Sequence, residues 1–112
     1  MKKIILSLAF LLTAALVAPS QVIYSVNWKS DAQIKVFVTN NKYDADLVVY
    51  KCKYKSDATG NRGWWHFTNY KSDAKKKIYF VDYKSDADLV IYVTENKYEA
   101  GWRNKTKEHL LY

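Results

Sequence analysis

Six times between Ile23 and Ala100 the chain repeats one short pattern, and that repetition limits what it can fold into. The units begin at Ile23, Val36, Val49, Trp65, Ile78 and Ile91. They lie 13 residues apart, except that the third and fourth are separated by 16. The extra residues fall in Thr59-Gly60-Asn61-Arg62-Gly63, which reads as a surface loop. Six residues into each unit stands a lysine: Lys29, Lys42, Lys55, Lys71, Lys84 and Lys97. Two residues later comes an acid (Asp31, Asp44, Asp57, Asp73, Asp86, Glu99), and then an alanine in every unit. Between lysine and acid lies serine in four units and Tyr43 or Tyr98 in the other two.

The second position of the units holds Tyr24, Phe37, Tyr50, His66, Tyr79 and Tyr92. Two residues further on stand Val26, Thr39, Cys52, Thr68, Val81 and Thr94. β-Branched and aromatic residues at a period of two fit a pleated strand rather than a helix. The Ser-Asp pairs predict turns in which short side chains bond nearby backbone. The alanine column predicts a place where another segment comes close to Cβ. Thirteen residues are few for a stacked solenoid unit, which ordinarily runs roughly 20–45. An open stack would also need atypical end repeats, yet the first unit is as regular as the rest. The expected fold is therefore all-β, a small closed arrangement of six strand–turn repeats, because closure removes exposed strand edges. Residues 101–108 read as a loop or short basic tail. His109-Leu110-Leu111-Tyr112 is apolar enough to dock back.

The repeated Tyr-Lys-Ser-Asp-Ala-Asp pattern, seen whole at Tyr83–Asp88, joins aliphatic and aromatic strands. In this it resembles the septoil knot domain family of small bacterial proteins. The resemblance covers essentially all of the chain after residue 20. It implies a small all-β domain whose backbone forms a deep seven-crossing torus knot. Such a knot winds its chain repeatedly about one axis, and a six-fold repeat is compatible with that. The resemblance implies no catalytic residues. The chain departs from the pattern at Thr59–Gly63 and at Trp64-Trp65-His66.

Met1-Lys2-Lys3, an apolar run from Ile4 to Val17, and small residues at Ala18 and Ser20 predict a secretory signal peptide over residues 1–20. The apolar run is shorter than the ~20 residues that a membrane span needs, so no span is expected after processing. A single domain over residues 21–112, periplasmic or extracellular, is the expected product. Cys52 is the only cysteine, so no internal disulfide can staple it. Packing, topology or self-association must supply the stability of so short a domain. The net charge is +7, and loss of Lys2 and Lys3 lowers it to +5. A basic surface of this kind attracts polyanions.

No chemical constellation stands out among the acids, lysines and histidines. Lys and Ser are adjacent in four units, but adjacent strand residues face opposite ways, and four copies point to architecture. Asp44 with Asp46 and Asp86 with Asp88 are carboxylate pairs, but nothing around them supplies the six to eight oxygens of a calcium site. No metal, cofactor or catalytic residue is expected, and nothing points to specific nucleic-acid recognition. The expected ligand-binding residues are Trp64 and Trp65, beside the glycine-flanked loop, with the cluster Lys75, Lys76 and Lys77. Aromatics can stack on sugars and lysines attract anionic groups, so an acidic glycan or other envelope polyanion is the expected partner. The sequence thus reads as a non-enzymatic binding or structural module of the cell envelope. The alternative is a small secreted hydrolase of glycan or peptide that uses turn acids or His66.

Overall fold

The structure, a computed structural model, describes residues 20–112. The predicted signal peptide, apart from Ser20, lies outside the described residues. Seven strands form: β1 (Val22–Ser25), β2 (Ile34–Val38), β3 (Leu47–Lys51), β4 (Trp64–Phe67), β5 (Lys76–Phe80), β6 (Leu89–Thr94) and β7 (Gly101–Trp102). Each link between consecutive strands contains a single 3-10 turn. In chain order turns 1 to 6 are Lys29–Asp31, Lys42–Asp44, Lys55–Asp57, Lys71–Asp73, Lys84–Asp86 and Lys97–Glu99.

The strands pair in the order β4-β1-β5-β2-β6-β3, and β3 returns to pair with β4. This closes a six-stranded barrel in which every pairing is parallel. β1, β2 and β3 take alternate places around the ring, and β4, β5 and β6 fill the gaps. The chain therefore makes nearly two circuits of one axis, the second interleaved with the first.

The registers explain how so short a unit can do this. Ser25 at the end of β1 and Ile34 at the start of β2 both pair with Ile78 of β5. Likewise Val38 and Leu47 pair with Ile91, Phe67 and Lys76 with Ile23, and Phe80 and Leu89 with Val36. Each link leaves one flank of a strand and re-enters on the other at the same height, as a strap over the outer face. Eight residues suffice for each of these four links, where a parallel crossover ordinarily takes a dozen or more. Turn 3 approaches β4 the same way, with Lys51 against Trp65, and turn 6 approaches β3 with Val93 against Val49. Every barrel strand thus carries one strap.

The strapped residues are Ile23, Val36, Val49, Trp65, Ile78 and Ile91, the opening residues of the six units. All are 0 % exposed, and with Ile34, Leu47, Leu89 and Leu111 they form the core. Three residues after each of the first five, Val26, Thr39, Cys52, Thr68 and Val81 lock the straps down. Their N–H groups donate at 2.6–2.9 Å to the carbonyls of Ile78, Ile91, Trp65, Ile23 and Val36.

The turns are held differently from the expectation. No serine or aspartate caps them. Turns 1, 3, 4 and 5 start on Trp28, Tyr54, Tyr70 and Tyr83 with no side-chain cap, while Asn41 and Asn96 cap turns 2 and 6 by accepting from Tyr43 and Tyr98 N–H. The alanine column is close-packed only in part: Ala45 and Ala58 are buried, and the other four are half-buried.

One seam interrupts the ring. On the N-terminal side of β4, β7 runs antiparallel along β3, and Ser20 makes an antiparallel bridge with Thr59. Asn61 laces this seam: its carbonyl accepts from Trp102 Nε1 at 3.1 Å, and its amide donates to the Glu108 carbonyl at 3.0 Å. A 3-10 helix, Lys105–Leu111, then folds back, so the segment expected as a tail is built into the domain. Leu111 enters the core, as expected for the docking segment, and Gln21 Nε2 donates to its carbonyl at 3.2 Å.

Candidate functional site

Trp64 and Trp65 are consecutive on β4, so their side chains leave opposite faces of the strand. Trp65 points into the barrel, edge-on to Phe67 with ring centres 6.0 Å apart. It fills the place that isoleucine or valine takes in the other units, so only one of the two expected binding tryptophans faces outward. Gly63 permits this start to β4. Its φ is +84°, and a Cβ there would run into the Val48 carbonyl.

Trp64 lies across the outer surface. Its Nε1 donates to the Lys97 carbonyl at 3.2 Å. The Arg62 guanidinium sits 3.8 Å from the ring centre and the Lys97 ammonium 5.4 Å from it. Both are cation–π contacts, the first from the loop that lengthens the third unit. The ring forms one wall of a hollow of about 290 Å³, with Tyr50, Tyr54, Lys53, Lys97, Asp57 and Cys52 around it. Three aromatic rings and two ammonium groups therefore line the hollow with one carboxylate, and the Arg62 guanidinium lies against the Trp64 ring. Burial, with a smaller contribution from Asp57, pushes the Cys52 thiol above its usual range, so it stays protonated rather than becoming a nucleophile. His66 Nδ1 lies 3.0 Å from the Cys52 carbonyl.

Lys75, Lys76 and Lys77 do not join this site. Successive β5 residues alternate faces, and β1 stands between β5 and β4. None of the three lines this hollow. The cations that the fold brings to Trp64 and its hollow are Arg62, Lys53 and Lys97. The sequence signal for these was present: Arg62 lies in the inserted loop, and Lys97 belongs to the repeated lysine column.

A second hollow, of about 390 Å³, lies on the other side of turn 6, lined by Lys42, Tyr43, Val48, Glu99 and Arg103 among others. Lys42 and Glu99 close across it at 2.9 Å. The hydrogen bond and charge of Glu99 hold the Lys42 ammonium above its usual range.

The carboxylate pairs divide their roles. Asp46 Oδ2 accepts from Val90 N–H and Asp88 Oδ2 from Lys35 N–H, both at 2.9 Å. Gln33 Oε1 accepts from Lys77 N–H at the equivalent place. The second acid of each pair thus ties the start of its strand to a neighbour. Its partner, Asp44 or Asp86, stays on an exposed turn.

No curated protein matches this chain, and no solved structure does. A family model described as the 7(1) septoil knot domain matches residues 20–103. The match takes in all six units and all seven strands. With the closed, twice-wound barrel above, it establishes that the chain belongs to the septoil knot domain family.

Proposed function

We propose that this septoil knot domain is an exported, non-enzymatic binding module of the cell envelope, periplasmic or extracellular, that takes an acidic glycan or another polyanion in the Trp64 hollow. The observation that carries the reading is the Trp64 ring, flanked by Arg62 and Lys97 and opening on a hollow with Tyr50, Tyr54 and Lys53. An aromatic face with flanking cations offers stacking area to a sugar ring and attraction to its carboxylate or sulfate. The lysine-led apolar segment before Ser20 supports export.

The test is titration with alginate and heparin at low and high salt, followed by tryptophan fluorescence. Binding should weaken with salt, because charges are screened beyond ~8 Å at physiological ionic strength. Trp64→Ala, or Lys53→Gln with Lys97→Gln, should abolish it. Changing Lys75, Lys76 and Lys77 to Gln should leave most of it. Absence of binding to either polymer at low salt would refute the reading.

A further inference from the structure

Every turn of this domain carries one exposed aromatic ring. Trp28, Tyr43, Tyr54, Tyr70, Tyr83 and Tyr98 are 60–85 % exposed. Two sequence positions share the task. Where the turn starts without a cap, the aromatic is the residue before the lysine, as in Trp28, Tyr54, Tyr70 and Tyr83. Where Asn41 or Asn96 takes that place to cap the turn, the aromatic reappears after the lysine, as Tyr43 or Tyr98, in the slot that serine fills elsewhere. The turn geometry does not call for this shift. Serine occupies the slot in four turns of the same shape, and the four aromatics before the lysine make no cap bond. What persists is one outward ring per turn, beside one lysine and one acid.

The straps set where these rings point. Turns 1 to 6 cross β5, β6, β4, β1, β2 and β3 in that order, so the rings are spread around the whole girdle of the barrel. They are separate patches rather than one apolar face, which does not suit a protein partner needing a continuous core. Each turn sets a flat apolar surface beside a lysine and a carboxylate, with Lys42 of turn 2 and Glu99 of turn 6 bonded to each other at 2.9 Å. That combination matches a neutral sugar ring, which has an apolar face and hydroxyls that both donate and accept. Six copies around a girdle match a ligand that is itself repetitive.

We infer that the six turns are weak sites for neutral sugar rings, and that together they hold or cross-link a repeating neutral polysaccharide by multivalency. Turn 3 shares Tyr54, and turn 6 shares Lys97, with the Trp64 hollow, while the other four turns lie outside its lining; this binding needs no anionic group and no salt-sensitive attraction. Individually weak sites on one body raise overall affinity by ~10²–10⁴ when one polymer engages several.

The experiment is retardation of the protein in native gels containing hydroxyethyl cellulose or soluble starch, at 0.5 M salt to suppress charge-driven binding. The decisive variant combines Trp28→Ser, Tyr70→Ser and Tyr83→Ser, none of which lines the Trp64 hollow. Serine is a favoured residue at a helix start, so the fold should survive, and a thermal melt checks this. Single changes should weaken retardation several-fold and the triple variant by about a hundred-fold or more, while alginate binding at low salt persists. Trp64→Ala should show the reverse pattern. Retardation of the triple variant equal to wild type, or no retardation of wild type by either polymer, overturns the proposal without touching the Trp64 reading. A triple variant that changes oligomeric state instead also overturns it, assigning the rings to self-association.

Discussion

The Arg62 guanidinium lies 3.8 Å from the centre of the Trp64 ring. The contact joins the residue that the third unit gained by insertion to the aromatic that opens β4. Arg62 is itself held by its own loop, with Nε and one terminal nitrogen donating to the Thr59 carbonyl and hydroxyl. Arg62→Ala should therefore uncover Trp64, shift its emission to the red, and weaken alginate binding several-fold. Such exposed cation–π contacts contribute about 0.5–1 kcal/mol, so the denaturant midpoint should move little. An unchanged emission maximum would show that Trp64 is covered by something else.

The two tryptophans of β4 should separate cleanly in stability. Trp65→Ala removes the largest core side chain and is expected to cost about 3–5 kcal/mol. Trp64→Ala, outside the barrel, should cost less than about 1.5 kcal/mol. Urea unfolding of the two variants checks this, and equal losses would contradict the assignment of faces.

Gly63 allows no replacement. Alanine there meets both a positive φ and the Val48 backbone carbonyl. Gly63→Ala should destabilise by about 2 kcal/mol or more. Gly60→Ala has a positive φ without a backbone neighbour in the way, and should cost less. Thermal melts of the pair give the comparison.

The alanine column should respond unevenly. Ala58 is fully buried and Ala87 half-buried, so Ala58→Leu should cost ~1–3 kcal/mol by overpacking and Ala87→Leu distinctly less. Chemical unfolding midpoints that coincide would show the two sites to be equally roomy.

Asp46 gives a pH dependence. Burial pushes its carboxyl up, but Val90 N–H, the Asn104 amide and the Lys107 ammonium outweigh that and hold it below the usual value. A depressed folded pKa contributes stability that is fully present above the unfolded value of about 3.9 and is lost as pH falls through the lower, folded value. Asp46→Asn should therefore flatten the acid limb of a stability–pH curve below about pH 4, and a superimposable limb would exclude this role.

Much of the fold can be read from the repeat. The six opening residues align by spacing alone, and all six prove to be core. The pairing of strands cannot be read in this way, because six strands of one pattern carry no local mark of which neighbour each will take. Only the register, with Ser25 and Ile34 meeting at Ile78, reveals the straps. The site is half legible for a similar reason. Insertion of Arg62 and the tryptophan pair mark the region, but the faces of Trp64 and Trp65 follow from which residue the strap crosses. Lys75–Lys77 is a cluster in sequence that strand alternation takes apart. Gln21 and the lacing by Asn61 leave no pattern, since each acts once.

The interleaving has a consequence in time. Around the barrel only β3 and β4 are paired neighbours in sequence; every other pairing joins residues 44 or 53 positions apart. Contacts so distant close slowly, because loop entropy is lost before any pairing is gained. The first three strands have no partner among themselves. A chain made only as far as β3 holds no two strands that bond to each other in the finished barrel, so every pairing waits for the second circuit to fill the gaps.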